Sequence, residues 1–302
     1  MLDAETRAPV LGPTKLADGL SGADALQEFR ATVVMVGTTA VCVYNREDVV
    51  GLTREDAVKY RTLDTTDLGA GWTVAADLIG AGSIDLTVGT YLFDAHGLSD
   101  RFALLWRTLA GDVELTTYTT GGVQLDTVTA FVGAPGTVES WTVAGDDTTL
   151  WLARSRQGSS AVGAEAYVTS GLVVAGIYLA TAFPSLLTGS ESSDNGVTAS
   201  CVVTGSGTAQ LVVTGRCTSF GDYDRYWVGW RPLAISGGAV VTSGDASAAQ
   251  HLELTHKPWV SGGRVLAVVV PWNTFDPPLT SAPVELAAAT NRERCMWVVD
   301  VT

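Results

Sequence analysis

Residues 111–125, GDVELTTYTTGGVQL, decide the reading of the fold. Val113-Glu114-Leu115 and Val123-Gln124-Leu125 alternate apolar with polar side chains, the period of a half-buried strand. Gly111-Asp112 and Gly121-Gly122, one ahead of each strand, are turn signals. The pattern extends both ways. Ile84-Asp85-Leu86-Thr87-Val88 alternates upstream. Downstream, Trp141-Thr142-Val143 and Leu150-Trp151-Leu152 flank Gly145-Asp146-Asp147 as a hairpin. Residues 102–109 (FALLWRTL) suit a buried strand or a short helix. Many short strands at this spacing predict a sandwich or jelly roll.

Nearer the start, residues 31–36 and 40–44 read as a hairpin around Gly37-Thr38-Thr39. Thr53 ahead of Arg54, Glu55 and Asp56 has the form of a helix N-cap with an acidic third position, which predicts a helix over about 54–63. A short helix is predicted at 22–30, where Ala25, Leu26 and Phe29 share a face. Residues 188–196 (TGSESSDNG) hold no apolar side chain and read as a linker. Beyond it, 197–204 and 208–214 flank Gly205-Ser206-Gly207 as a hairpin, in which Cys201 falls opposite Leu211 and not opposite Cys217. Further strands at 226–231, 239–242, 252–255, 265–270 and 296–301 give this part an immunoglobulin-like strand number and size, without the disulfide and Trp signature. The expected chain is all-β and antiparallel: an N-terminal arm (1–30), a sandwich or jelly-roll-like body (31–187), the linker, and an immunoglobulin-like sandwich (197–302). No repeat of 20–50 residues is visible.

Charged residues make up 17%, well below the usual quarter, while Gly numbers 33 and β-branched residues recur, as strands joined by tight turns require. The formal charge of -14 repels phosphate backbones and anionic membranes, so neither is an expected partner. Met1 to Pro9 hold Asp3, Glu5 and Arg7 and no apolar core of a signal peptide. The longest apolar run, residues 171–183, is too short to cross a bilayer as a helix. Cys42, Cys201, Cys217 and Cys295 lack CxxC spacing, which argues against zinc or redox chemistry and for reduced core thiols.

Residues able to carry chemistry are sparse. His96, His251 and His256 accompany no GxSxG elbow. His251 and His256, an odd step apart on a strand, point to opposite faces and cannot share a metal. Asp85 and Glu114 form the one carboxylate pair suited to glycoside hydrolysis, yet both sit on the polar side of alternating strands. Asp222-Tyr223-Asp224 and Asp146-Asp147 read as turns, without a calcium-loop pattern around them. Gly133-Ala134-Pro135-Gly136 lacks the Gly-Lys-Ser/Thr end of a phosphate loop. No catalytic residue, cofactor or metal is assigned, and no enzymatic activity is expected.

Aromatic residues gather late in the chain. Tyr223, Tyr226, Trp227, Trp230 and Trp259 are the candidate surface-binding residues. Trp227 and Trp230 are an odd step apart, so a regular strand cannot hide both on one face. An exposed Trp stacks on sugars or anchors an interface. Leu2, Val10, Leu11, Leu16 and Leu20 give the arm apolar side chains without period, which makes them candidate assembly contacts. Lys15, Lys59 and Lys257 are the only lysines, a bias typical of GC-rich genomes. With its arm, its β-rich body, the TGSESSDNG linker and the terminal module, the chain resembles the virion structural proteins of tailed bacteriophages. The resemblance implies a tail, baseplate, fibre or capsid-decoration subunit, assembled in the host cytoplasm, with other virion proteins and copies of itself as partners. A host-surface glycan, bound through the exposed aromatics, is the alternative ligand.

Overall fold

A computed structural model describes residues 31–50, 53–80, 93–131, 139–156, 162–180, 194–218, 224–245, 252–254, 258–261, 263–271 and 297–300. By internal contacts the chain forms two compact units, Met1–Gly136 and Thr137–Thr302. Residues 188–193 of the expected linker, the arm and the helix expected at 22–30 lie outside the described residues.

In the first unit, β1 (Ala31–Val36), β2 (Thr39–Val50), β3 (Thr53–Asp64) and β4 (Ala76–Ile79) form one antiparallel sheet in chain order. A second follows in the same way from β5 (Phe93–Gly97), β6 (Phe102–Arg107), β7 (Val113–Tyr118) and β8 (Gln124–Phe131). The expected hairpin at Gly37-Thr38 is present, with Gly37 at φ 55°, a conformation that glycine reaches without strain. Val34 and Val36 of β1, Val41 and Val43 of β2, and Val58 of β3 pack with Phe93 and Ala95 of β5, Phe102 and Leu104 of β6 and Tyr118 of β7. Each such side chain, once fully buried, contributes about 1.5–3 kcal/mol. The rings of Phe102 and Tyr118, cross-strand partners, stack at 5.6 Å.

The helix expected at 54–63 is strand β3, which pairs with β2 from Thr39↔Asp64 to Val50↔Thr53. The capping signal at Thr53 is local and worth about 1 kcal/mol. It loses to a long hairpin ladder that buries Ala57, Val58 and Leu63. The ambiguous 102–109 run resolves as a strand. Among the described residues the helical structure is a single 3-10 turn, Leu68–Ala70, whose N-terminal Gly69 N–H donates to the Asp67 carboxylate.

Among the described residues the second unit holds three sheets. β9 (Glu139–Gly145), β10 (Thr149–Arg156), β11 (Val162–Val168) and β12 (Val173–Ala180) make the first, again in chain order. β13 (Asp194–Gly205), β14 (Thr208–Thr218), β15 (Asp224–Ser236) and β16 (Ala239–Thr242) make the second. In the third, β19 (Arg264–Pro271) pairs with β17 (Leu252–Leu254), β18 (Trp259–Ser261) and β20 (Trp297–Asp300). Cys201 pairs with Leu211 across the β13–β14 hairpin, as its turn chemistry requires. Trp151, Ala153, Val162, Ala164 and Ala166 share one core with Ala199, Cys201, Ala209, Leu211, Val213, Leu233 and Val240. That core runs on both sides of residues 188–196.

The expected sandwich, jelly roll and immunoglobulin-like module are therefore corrected. Those folds need strands that cross between two sheets. Here each of the first four sheets is a meander of four consecutive strands, the sheet type of a propeller blade. Burial agrees. A sandwich sheet keeps one face in water, whereas β6 (BBBBiB) and β11 (BBBBBBe) are buried on both faces. Among the described residues, β8, β12 and β16 are the most open strands of their sheets, whereas in the first sheet both edge strands, β1 and β4, are open.

Candidate functional site

A buried polar cluster lies on one face of the β9–β12 sheet. Register places Trp141 of β9, Arg154 of β10 and Gly163 of β11 in one cross-strand row. The next row holds Val143, Leu152, Glu165 and Ile177, and the row beyond it holds Tyr167 and Val174. The Arg154 side chain passes close to Gly163, where a Cβ would stand 3.3 Å from Arg154 Nε. The Tyr167 hydroxyl donates to Glu165 Oε2 at 2.6 Å. Trp141 is 3% exposed, and its indole N–H has no hydrogen-bond partner among the described residues.

Burial pushes the Glu165 carboxyl above its ordinary range, while the Tyr167 hydroxyl and the Arg154 charge pull it back. Burial, and then the bond to Glu165, raise the Tyr167 phenol. The cluster sets a buried carboxyl, bonded to the Tyr167 hydroxyl, within reach of the Arg154 charge. Glu165 is not among the candidates that the sequence analysis singles out. Its signal is an acid inside the apolar run Val162–Val168, between Ala164 and Ala166.

A pH prediction follows. A carboxyl with a raised folded-state pKa adds stability below its unfolded pKa of about 4.3 and loses it as pH climbs through the folded value. Glu165→Gln keeps an oxygen to accept from Tyr167 and cannot ionise. Its melting temperature is expected to exceed that of the unmodified chain at pH 7 and to converge on it near pH 4. A constant difference across that range would contradict this charge assignment.

The aromatic candidates fall on strands of the second unit. Tyr226, Trp227 and Trp230 lie on β15, in register with Arg216, Gly215 and Val212 of β14. Trp230 is half-buried. Arg231 follows it, with Nη1 donating to the Tyr178 hydroxyl of β12 at 2.8 Å. Trp259 lies on β18 opposite Leu266, and Tyr223 lies outside the described residues. Leu2, Val10, Leu11, Leu16 and Leu20 are outside them too, as are His251, His256 and the Asp85 member of the Asp85–Glu114 pair. Asp146 serves a turn: its carboxylate accepts from the N–H groups of Thr148 and Thr149, each at 2.8 Å.

No protein-family model and no curated protein matches the sequence. Solved structures that are similar include an α-L-arabinofuranosidase of Podospora anserina, at 12% identity over 93% of this chain and 92% of that one, with a TM-score of 0.39. A GH43 endo-arabinanase of Bacillus licheniformis is 11% identical over 89% and 92%, with a TM-score of 0.36. The β-propeller domain of the Trilobed protease of Pyrococcus furiosus is 6% identical over 82% and 81%, with a TM-score of 0.39. Scores of this size fix neither fold nor activity. They lend no support to two expectations from the sequence, that the chain is a virion structural subunit and that it is not an enzyme. An α-L-arabinofuranosidase, an endo-arabinanase and the β-propeller domain of a protease are what it is similar to. Both expectations, with the virion location, are withdrawn. Among the described residues no helix is long and apolar enough to cross a membrane.

Proposed function

We propose that the protein binds carbohydrate through the aromatic residues of β15. The observation that carries the reading is Trp230, whose large ring is half-buried on a strand that also holds Tyr226 and Trp227. Polar residues would serve a buried core poorly, and a part-exposed indole offers a flat apolar plane to the C–H face of a sugar at little cost in side-chain entropy. Arg231, the next residue, points to the opposite face of the strand, where it is bonded to Tyr178, so the indole of Trp230 is the anchor of the reading.

Affinity electrophoresis in gels that contain soluble polysaccharides tests the reading. At least one polysaccharide is expected to retard the chain, and Trp230→Ala should weaken that retardation about tenfold to a hundredfold, the scale of a central aromatic anchor. Free migration in every gel would overturn it. The same incubations, assayed for new reducing ends, distinguish cleavage from binding. Glu165, a buried carboxyl bonded to Tyr167, is the first group to substitute if cleavage is found.

A further inference from the structure

In the first unit one sheet face changes character from its inner strands to its edge. On β5 and β6 it carries Phe93, Ala95, Phe102 and Leu104, all in the core. Toward β8 it turns polar. Register aligns Trp106, Glu114 and Thr129 in one row across β6, β7 and β8, and Leu104, Thr116 and Thr127 in the next. Gln124, paired with Tyr118, continues the polar row along β8. Gln124, Thr127 and Thr129 are exposed, and Trp106 and Glu114 are partly exposed.

These side chains are fixed in place. The Trp106 indole N–H donates to Thr116 Oγ1 at 3.2 Å, and the Thr116 and Thr127 hydroxyls lie 2.9 Å apart. Trp106 packs on the core that the two sheets of this unit share, as Tyr60 does from β3. Tyr60 reaches the β7–β8 turn, where a Cβ on Gly122 would fall on its hydroxyl. Neither residue is fully buried. Among the described residues no cation pairs with Glu114. A carboxylate in reach of water, beside an indole and a line of hydroxyls, suits a ligand that donates hydrogen bonds and also has an apolar face.

We propose that this face of β6–β8 is a second carbohydrate site, and that its ligand is a neutral glycan. An ionised Glu114 only accepts hydrogen bonds, so its partner is a donor, as a sugar hydroxyl is. A chain of formal charge -14 repels uronic and sulfated sugars, which leaves uncharged ones. Trp106 offers its ring to the C–H face of a sugar. Thr129, Thr127 and Gln124 span roughly 15 Å of strand and bond hydroxyls along the glycan. The inference takes its ligand class from the carbohydrate reading above but does not depend on Trp230, which belongs to the other unit.

Affinity electrophoresis of the whole chain, with galactomannan, xylan, laminarin or mixed-linkage β-glucan in the gel, separates the two sites. Trp230→Ala is expected to keep a measurable retardation in at least one gel. Adding Glu114→Ala and Thr129→Val should weaken that remainder about tenfold or more, the scale of losing a hydrogen bond to a charged group. Both positions reach water, so circular dichroism and melting temperature should stay within the range of surface substitutions. Free migration of Trp230→Ala in every gel that retards the unmodified chain would overturn this site and leave the β15 reading standing. So would a triple variant retarded as strongly as Trp230→Ala. Retardation lost with Glu114→Ala and Thr129→Val, and untouched by Trp230→Ala, would support this site and overturn the other. Free migration of the unmodified chain in every gel would overturn both. Equal retardation by polygalacturonate would overturn the choice of a neutral ligand.

Discussion

Gly97→Ala is expected to lower the melting temperature of the protein by about 6–12 °C. Gly97 ends β5, where that strand meets β1. A Cβ added there would fall into the Met35 carbonyl, 2.7 Å from its carbon and 3.0 Å from the Met35 nitrogen. These are backbone atoms, so no rotamer change can make room. Overpacking of a core ordinarily costs about 1–3 kcal/mol, and against backbone the upper end applies. For a chain of this size each kcal/mol lowers the melting temperature by about 2–4 °C. Gly80→Ala is the internal control. Nothing lies within 4 Å of its added Cβ, so its melting temperature should stay within the narrow range of a surface substitution. Equal behaviour of the two variants, measured by thermal circular dichroism, would contradict backbone contact between β1 and β5.

Trp151→Ala should cost about 3–5 kcal/mol, the scale for emptying a buried aromatic site. Trp151 is among the largest fully buried side chains and lies in the core shared by the β9–β12 and β13–β16 sheets. Its indole N–H has no hydrogen-bond partner among the described residues. An unpaired buried donor is itself destabilising by about 1–3 kcal/mol. Trp151→Phe removes that donor together with part of the ring, and the two effects oppose. The Phe variant should therefore lose less than half of what the Ala variant loses, read from urea unfolding midpoints. If both lose the same amount, the indole N–H has a partner and the cavity account fails.

The local patterns and the architecture were not equally legible. Hairpins at Gly37-Thr38, Gly121-Gly122, Asp146-Asp147 and Ser206-Gly207 were readable because turn chemistry and period-two alternation act over a few residues. The Cys201↔Leu211 register followed from the turn alone. Sheet stacking was not readable, because a meander hairpin looks the same in a sandwich and in a blade-type sheet. Continuous apolar runs were the missed clue. FALLWR of β6 and VGAEAYV of β11 are buried on both faces, which a sandwich with one wet face does not ask of its strands. The 54–63 helix failed for a related reason: a capping signal at Thr53 is local, and the β2–β3 ladder that defeats it is not.

Of the residues discussed as a site, the aromatic ones can be picked out from the sequence and the acid cannot. Tyr226, Trp227 and Trp230 announce themselves by size and spacing. Glu165 needs its environment. Only the folded sheet shows that an acid in VGAEAYV is buried, bonded to Tyr167 and near a guanidinium laid across Gly163.

A glycan array probed with the whole chain and with Trp230→Ala tests carbohydrate recognition most directly. The account predicts signal from the unmodified chain on at least one glycan class, reduced tenfold or more in the variant. No signal on any class, or equal signal from the two proteins, would contradict it.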